Sequence, residues 1–464
     1  MESFQRKHIE CYNLTKTVNP HYALPKSLAE LKVILDNAKN LDYKIAIKAG
    51  GNSYSDIFLT SKNLLIDISK LNSIKSFDTE LGVVTIESGT RIGTLLKIIM
   101  PKNWGLVGLS GSVMDRIGGM ISSNTHGKDT WKNGNFSQNI ISFRILFADG
   151  TVENIEREKN PELFNGIVSG LGFLGIIIDI TLKLTKIPSF AVKTSTRRIL
   201  NMDDMFEYFY SLDKSNTDFS YALLDPFVSE NNFGKGICES STYIQSNKFS
   251  SKKLEANLYP KSKIFGLKPE TFWSLIRPFW GNTSSKLVNK LKYVRSTNKF
   301  SNYRIESFSK IQYAYTELPK FNLLYAPSGF FEFQSLFPKN KCINAFIELL
   351  SLSKKFNCQP WVCMVKRHKS DSPYLSFSED GLSIAMNFSL KQLDIDQQEK
   401  YCDKLYEIIL NHSGKIYLSK HSIIPKKIFE KMYPNHLKLK NLKSKYDPNN
   451  IFYSDATKRL LEFI

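Results

Sequence analysis

KIAIKAGGNSYSD, residues Lys44–Asp56, is the stretch that organises the chain. Ile45 and Ile47 alternate with polar or small neighbours, as a half-buried strand does. Gly50 and Gly51 then let the backbone turn with positive φ and approach a ligand closely, because neither carries a Cβ. Asn52, Ser53 and Tyr54 follow, so the turn gathers backbone N–H groups and side-chain donors at one point, which suits a phosphate or pyrophosphate. The stretch matches neither the Rossmann GxGxxG nor the Walker GxxxxGK[ST] pattern, and alone it specifies only a tight turn.

A second stretch extends the argument. Gly105–Asp129 reads GLVGLSGSVMDRIGGMISSNTHGKD, with glycines at 105, 108, 111, 118, 119 and 127. Each glycine gives up side-chain contacts and adds backbone entropy to be lost on folding, so core packing does not explain that density. An extended ligand lying on the backbone does. Asn139–Gly150 (NIISFRILFADG) then predicts a strand ending in an Asp-Gly turn, with Thr151 and Val152 opening the return strand. A third cluster, Gly170–Gly175 (GLGFLG), leads into Ile176-Ile177-Ile178.

Taken together, these motifs resemble a known family. The glycine turn followed by Ser-Tyr and Asp, the Gly118-Gly119 pair ahead of His126-Gly127-Lys128, the Ala148-Asp149-Gly150 turn and the GLGFLGII run resemble the FAD-binding domain of vanillyl-alcohol-oxidase-type flavoproteins. Within that superfamily the chain is most similar to the decaprenylphosphoryl-β-D-ribose oxidases, the flavoprotein halves of an epimerase. The likeness returns at GKIYLSK (Gly414–Lys420) and YDPNNIFYSDATKRLLEF (Tyr446–Phe463). The resemblance implies an α+β molecule with a two-subdomain α/β FAD-binding domain of the PCMH type over residues 1–190. It also implies an antiparallel-sheet substrate domain with helices on one face over 191–410, and a segment 411–464 that returns to the FAD domain.

The same resemblance assigns residues. Lys48, Ala49, Gly50, Gly51, Asn52, Ser53 and Tyr54 are expected at the cofactor. So are Gly111, Arg116, Ile117, Gly118, Gly119, Ser123, Asn124, Thr125, His126, Gly127, Ile177 and Tyr417. Many members of the superfamily attach FAD through a histidine in the glycine turn, and here that turn has none, so FAD is expected to be held noncovalently. His126 and Lys420 are the expected catalytic residues. A cation near the flavin stabilises the anionic reduced ring, and an ammonium can hydrogen-bond the hydroxyl whose carbon loses hydride. Tyr417 and Lys420 are expected on one face of a strand. Tyr315, Gln334, Lys366 and Lys420 are expected at the substrate, and Ala385 stands where mycobacterial members carry a cysteine.

Composition narrows the setting. A chain of 464 residues favours two domains, and no run of about 18 apolar residues is present to span a bilayer. The N-terminus lacks the apolar core of a signal peptide, so a cytoplasmic location is expected. Six cysteines without CxxC spacing outline neither a zinc site nor a disulfide framework, and no metal is expected.

The net charge of +19 is concentrated. Lys248–Arg304 holds thirteen Lys or Arg against two acids, with ten interleaved aromatics. Such an insertion can stack single-stranded nucleic acid, lie on an anionic membrane or simply be solvated. The flavoprotein motifs favour peripheral docking at the inner face of the membrane, with no nucleic acid.

Secondary structure follows from periodicity and caps. Pro25–Leu41 reads as a helix with Ser27 as N-cap and Glu30 completing a capping box. Asn63–Leu71 and Gly82–Ser88 read as strands, and Thr90–Ile99 as a helix stopped by Pro101. Gly329–Pro338, Pro360–Arg367 and Ser383–Leu390 read as strands, and Lys341–Phe356 and Asp394–Leu410 as helices.

The expected activity is FAD-dependent oxidation of a sugar hydroxyl to a ketone. The substrate would be the 2-hydroxyl of a polyprenyl-phosphate-linked ribofuranose, with a short-chain reductase partner returning the epimer for cell-surface polysaccharide. The alternatives are an aldonolactone or sugar-alcohol oxidase on a soluble substrate, and a nucleic-acid-binding protein on an empty flavin fold. Oxygen and quinone both stay open as the electron acceptor.

Overall fold

The computed structural model describes residues 4–246, 252, 258–297 and 303–461. Near the N-terminus lie β1 (His21–Ala23), α1 (Leu28–Asn40), β2 (Ile45–Lys48) and β3 (Leu64–Asp67), with β1 and β2 each paired in parallel to β3. A parallel pair needs a crossover, and α1 supplies one. Ser27 Oγ accepts the Glu30 N–H at 3.2 Å as expected, but the Glu30 carboxylate takes the Lys26 N–H at 2.8 Å, so the box closes one residue early. Leu31, Leu35 and Ala38 join Ile45, Leu64 and Ile66 in one apolar cluster. The strand expected over Asn63–Leu71 stops at Asp67, whose carboxylate accepts the Ser69 N–H at 2.9 Å and starts a 3-10 turn.

A second unit is antiparallel. It uses β4 (Ile74–Asp78), β5 (Val83–Glu87), β6 (Ile140–Leu146), β7 (Val152–Glu156) and β8 (Ile176–Lys183) in the order β7-β6-β8-β5-β4. The expected hairpin around Asp149-Gly150 is the β6–β7 pair. The apolar run of β8 is explained by burial on both faces, since Ile177 and Ile180 enter one core while Ile176 and Ile178 enter another. Helices α2 (Ile92–Ile99) and α3 (Ile117–Ser122) follow β5, and α3 carries the Gly118-Gly119 pair.

The third unit is a large sheet of eight strands among the described residues. These are β9 (Ala191–Ile199), β10 (Phe219–Leu224), β11 (Gly236–Ile244), β12 (Tyr303–Ser307), β13 (Phe330–Pro338), β14 (Val362–His368), β15 (Gly381–Ser389) and β16 (Lys415–Ile416). Their order is β12-β9-β11-β10-β14-β15-β13-β16. Alternation along β13–β15 separates two faces. One face packs on helices such as α7 (Cys342–Lys355) and α8 (Ile395–Asn411), after α4 (Met202–Ser211), α5 (Pro269–Ile276) and α6 (Asn282–Arg295) earlier in the chain. There the Phe337 and Phe346 rings meet at 6.0 Å and Phe388 meets Tyr401 at 5.5 Å. The other face turns Gln334, Ala385 and Met364, register partners across three strands, toward a cavity.

Two findings change the sequence reading. Residues 247–251, 253–257 and 298–302 of the basic stretch lie outside the described residues, and part of the remainder, from Pro260–Ser262, the start of α5, Trp280 and one side of α6, contributes to a wall of the cavity. The last motif also pairs early and late chain directly, because the Ile45 N–H donates to Ile451 O at 2.7 Å and the Tyr453 N–H to Ile45 O at 2.9 Å. Lys443 and Asp447, both fully buried and 2.6 Å apart, hold that junction: Lys443 donates to Phe173 O and Phe452 O, and Asp447 accepts the Ile451 and Phe452 N–H groups.

Candidate active site

Between the glycine loops and the large sheet runs a cavity of about 1660 Å³. Ala49–Tyr54 form one side, and Leu109–Arg116 with Gly118 and Gly119 form another. Gly51 has φ +70°, a conformation L side chains rarely adopt, and a Cβ there would sit 2.9 Å from Lys48 Cε. At Gly118 a Cβ would sit 2.9 Å from Ser88 Cβ, so the absence of side chains brings α3 close to β5 while its N-terminal end opens on the cavity.

Most of the residues expected at the cofactor line this space: Ala49, Gly50, Gly51, Asn52, Ser53, Tyr54, Gly111, Arg116, Gly118, Gly119, Ser123, Thr125, His126, Ile177 and Tyr417. Four do not. Lys48 turns back to Asp67 at 2.7 Å, and Ile117 is fully buried in the core. Asn124 bonds Asp371 at 2.5 Å and Ser137 N at 3.2 Å. Gly127 serves its own turn, donating to Thr130 Oγ1 at 2.7 Å, and a Cβ on it would meet Asp129. These four shape the loops from behind.

The expected substrate residues Tyr315, Gln334, Lys366 and Lys420 all reach the same cavity. β16 ends at Ile416, so Tyr417 and Lys420 do not share a strand face as expected. They lie on a turn in which the Lys420 N–H donates to Tyr417 O at 2.9 Å. That turn docks on the glycine loop: the Tyr54 N–H donates to Ser419 O at 3.0 Å and Ser55 Oγ to Leu418 O at 2.8 Å. Asp56 secures the junction by accepting from Arg459 at 3.0 and 3.2 Å, from Ser422 Oγ at 2.6 Å and from Lys16 at 3.1 Å. Burial works against its charge, yet these partners prevail and hold its carboxyl at about 2.

Lys420 Nζ stands 3.2 Å from Glu332 Oε1 and 3.2 Å from the centre of the Tyr54 ring. Tyr54 stacks on Tyr12 at 5.1 Å and donates its hydroxyl to Tyr315 at 2.9 Å, so the cation rests on a fixed aromatic shelf. Glu332 was not singled out from the sequence. It lies two residues before Gln334 on β13 and so shares its face, a period-two signal that was there to use.

His126 is buried, with Nε2 3.1 Å from Gln334 Nε2. Burial, then the charges of Lys366, His368 and Lys420, push its pKa well below the ordinary histidine value, so the ring is neutral. With the Gln334 amide donating to Nε2, the ring proton resides on Nδ1, which has no partner among the described residues. Tyr417 packs against the ring at 5.1 Å and donates its hydroxyl to Ser123 O at 3.0 Å.

Two further cations stand on the wall. Lys366 is brought down to about 8, by burial first and then by Lys128 and Lys420. Lys128 also falls to about 8 by burial, donates to Ile311 O and lies 4.2 Å from the centre of the Tyr221 ring. Neither forms an ion pair among the described residues.

The cavity fits FAD on its own features. It is walled by glycines of the Ala49–Tyr54 turn, the Leu109–Arg116 stretch and α3, with His126, whose Nδ1 is buried without a partner among the described residues, and the Lys420 cation also on its lining. Comparison with known proteins agrees. Residues 20–156 match the family model described as an FAD binding domain, and 305–460 match that of D-arabinono-1,4-lactone oxidase. The decaprenylphosphoryl-β-D-ribose oxidase of Mycolicibacterium smegmatis is 21% identical over 419 residues, 88% of this chain and 87% of that protein. A D-arabinono-1,4-lactone oxidase of Yarrowia lipolytica is 32% identical over 189 residues and an L-gulonolactone oxidase of Bos taurus 31% over 176. These two alignments cover 40% and 38% of this chain, and 35% and 39% of those proteins. With the glycine-walled cavity and the lysines that line it, the two matched regions make this chain an FAD-linked oxidoreductase, with an FAD binding domain over residues 20–156 and a region similar to D-arabinono-1,4-lactone oxidase over 305–460.

Proposed function

We propose that the chain oxidises a ribofuranose hydroxyl, the 2-hydroxyl of a polyprenyl-phosphate-linked sugar, to a ketone, as the oxidative half of an epimerisation completed by a separate reductase. The observation that carries this reading is the pair of cavity-wall cations, Lys366 and Lys128, that form no ion pair among the described residues and whose charges are only partly offset at longer range by Glu332 and Asp129 and by Glu239. A charge withdrawn from water and only partly offset is costly, so it favours a ligand that brings an anion. A phosphodiester supplies one, and a neutral lactone does not.

The residues divide the work. Ala49–Tyr54, Leu109–Arg116 and the start of α3 hold FAD, without a covalent link because the glycine turn has no histidine. FAD, when bound, supplies the acceptor for the hydride of the alcohol carbon. Lys420 holds the substrate oxygen and offsets negative charge as it develops. Glu332, paired with Lys420, is the carboxylate placed to take the hydroxyl proton. His126 stands neutral beside the site, and Gln334 fixes its tautomer. Tyr315 and Lys366 receive the sugar and its phosphate. Residues 1–190, 191–410 and 411–464 serve as the FAD unit, the substrate unit and the returning segment.

Oxidation of a soluble aldonolactone is the second reading, favoured by the match of residues 305–460 to that oxidase family. Product analysis separates the two. A synthetic short-chain prenylphosphoryl ribose is incubated with the enzyme and quenched with borodeuteride. Deuterium at carbon 2 of the sugar supports the proposal, and its absence with turnover of an aldonolactone supports the second reading.

A further inference from the structure

Helix α6 is amphipathic with its apolar side outward. Ser285, Val288, Asn289 and Lys292, spaced i, i+3, i+4 and i+7, face the cavity. Leu287, Leu291 and Val294, also spaced i, i+4 and i+7, face solvent. A helix on a soluble surface normally does the reverse. The segment that leads into α6 also exposes Leu275, and Phe279 and Phe265, which are 84% and 92% exposed. Single exposed apolar residues need no explanation, but an exposed apolar helix stripe in a segment that exposes further large apolar side chains among charges does. Here the charges are basic: residues 258–297 hold eight Lys or Arg against the single acid Glu270, and Lys263, Lys268, Lys286, Lys290 and Arg295 are exposed.

We propose that the outer face of α5 and α6 is a docking surface for an anionic lipid bilayer, with Phe265, Phe279, Leu287, Leu291 and Val294 entering the interface and the surrounding lysines and arginines meeting lipid phosphates. Charge selects this occupant. A second copy of the same face would set Lys263, Lys286, Lys290 and Arg295 against the same cations, whereas an anionic bilayer neutralises them while accepting the rings and aliphatic chains. The inner face of the same helix lines the cavity, so docking brings its apolar reach to the membrane. In that respect the inference deepens the lipid-linked substrate proposed above and rests on that reading only for the use of the route.

Vesicle co-sedimentation of the full-length flavoprotein tests the surface without any substrate. Vesicles of phosphatidylcholine with phosphatidylglycerol are compared with phosphatidylcholine alone at low and high salt. The expected result is binding to the anionic vesicles that weakens at high salt, because screening acts over about 8 Å at physiological ionic strength. Lys286→Gln with Lys290→Gln is expected to weaken binding on the order of tenfold or more, at about fivefold per neutralised cation. Leu287→Gln with Leu291→Gln is expected to abolish pelleting while the flavin spectrum and thermal midpoint stay unchanged. Wild-type protein that ignores anionic vesicles, or binding that survives both double variants, overturns the proposal. So does a dimer by light scattering that Leu287→Gln with Leu291→Gln dissolves, since a second copy would then cover the face. Oxidation of a short-chain substrate in solution is untouched by any of these outcomes, so failure of the surface and failure of the substrate reading are told apart.

Discussion

Replacing Lys420 with alanine separates binding from chemistry. FAD would be held along Ala49–Tyr54, Leu109–Arg116 and the start of α3, and of these the Lys420 side chain meets only the Tyr54 ring, so Lys420→Ala is expected to stay yellow. What it loses is a preorganised cation 3.2 Å from Glu332 Oε1, aimed where charge develops as the hydroxyl is oxidised. A donor of this kind is worth roughly 3 to 4 kcal/mol, on the order of 100- to 1,000-fold in the rate of flavin reduction. The substitution also strands Glu332, which is buried, and removing one partner of such a pair destabilises the fold. Lys420 keeps some contact with solvent, which brings the expected cost down to about 2 kcal/mol from the full buried-pair figure. The double variant Lys420→Ala with Glu332→Gln therefore should recover the thermal midpoint and not the rate. Stopped-flow reduction at saturating substrate, beside thermal melting, reads both effects. A single variant reduced within a few-fold of wild type refutes the reasoning and returns the leading role to His126.

Other outcomes follow from the same geometry. Acid precipitation should release intact FAD and leave a colourless pellet; flavin that stays with the polypeptide contradicts noncovalent binding. Lys366→Gln should raise KM for a phosphorylated sugar about tenfold or more while leaving FAD affinity unchanged, since a hydrogen bond to a charged group is worth about 1.5 to 3 kcal/mol. Because Lys366 and Lys128 titrate near 8, substrate affinity should be full below that pH and fall as pH rises through it; a KM flat from pH 6 to about pH 10 counts against a cationic phosphate site. Asp56→Asn should cost about 2 kcal/mol in thermal or urea unfolding. The Asp56 carboxyl is depressed to about 2 in the fold, so its contribution is present above its ordinary value near 4 and is lost as pH falls toward 2.

Local signals were legible and long-range ones were not. The β2 strand, the Ser27 cap, the Asp149-Gly150 hairpin and the β13, β14 and β15 strands follow from period, cap and turn chemistry that neighbours in sequence provide. The glycine clusters likewise marked the cavity wall. Lys48, Ile117, Asn124 and Gly127 do not line the cavity although they sit inside motifs whose other members do, because sequence adjacency does not say which way a loop residue turns. Glu332 was missed although its spacing from Gln334 was visible. The docking of the Tyr417–Lys420 turn on Tyr54 and the clamp of Arg459 on Asp56 join residues more than 350 positions apart, and no local pattern encodes such a meeting. The helices of the basic stretch were hidden by composition, because α6 carries its apolar stripe outward and looks like a polar insertion when only charge is counted.

Anaerobic bleaching of the flavin tests the central claim most directly. The purified protein is mixed without oxygen with a short-chain prenylphosphoryl ribose in one cuvette and with D-arabinono-1,4-lactone in another, and the visible flavin absorbance is followed through one turnover. The account predicts prompt, stoichiometric bleaching by the phosphorylated ribose and little by the lactone. Bleaching by the lactone alone would contradict it and leave the two buried lysines of the cavity wall without the ligand assigned to them.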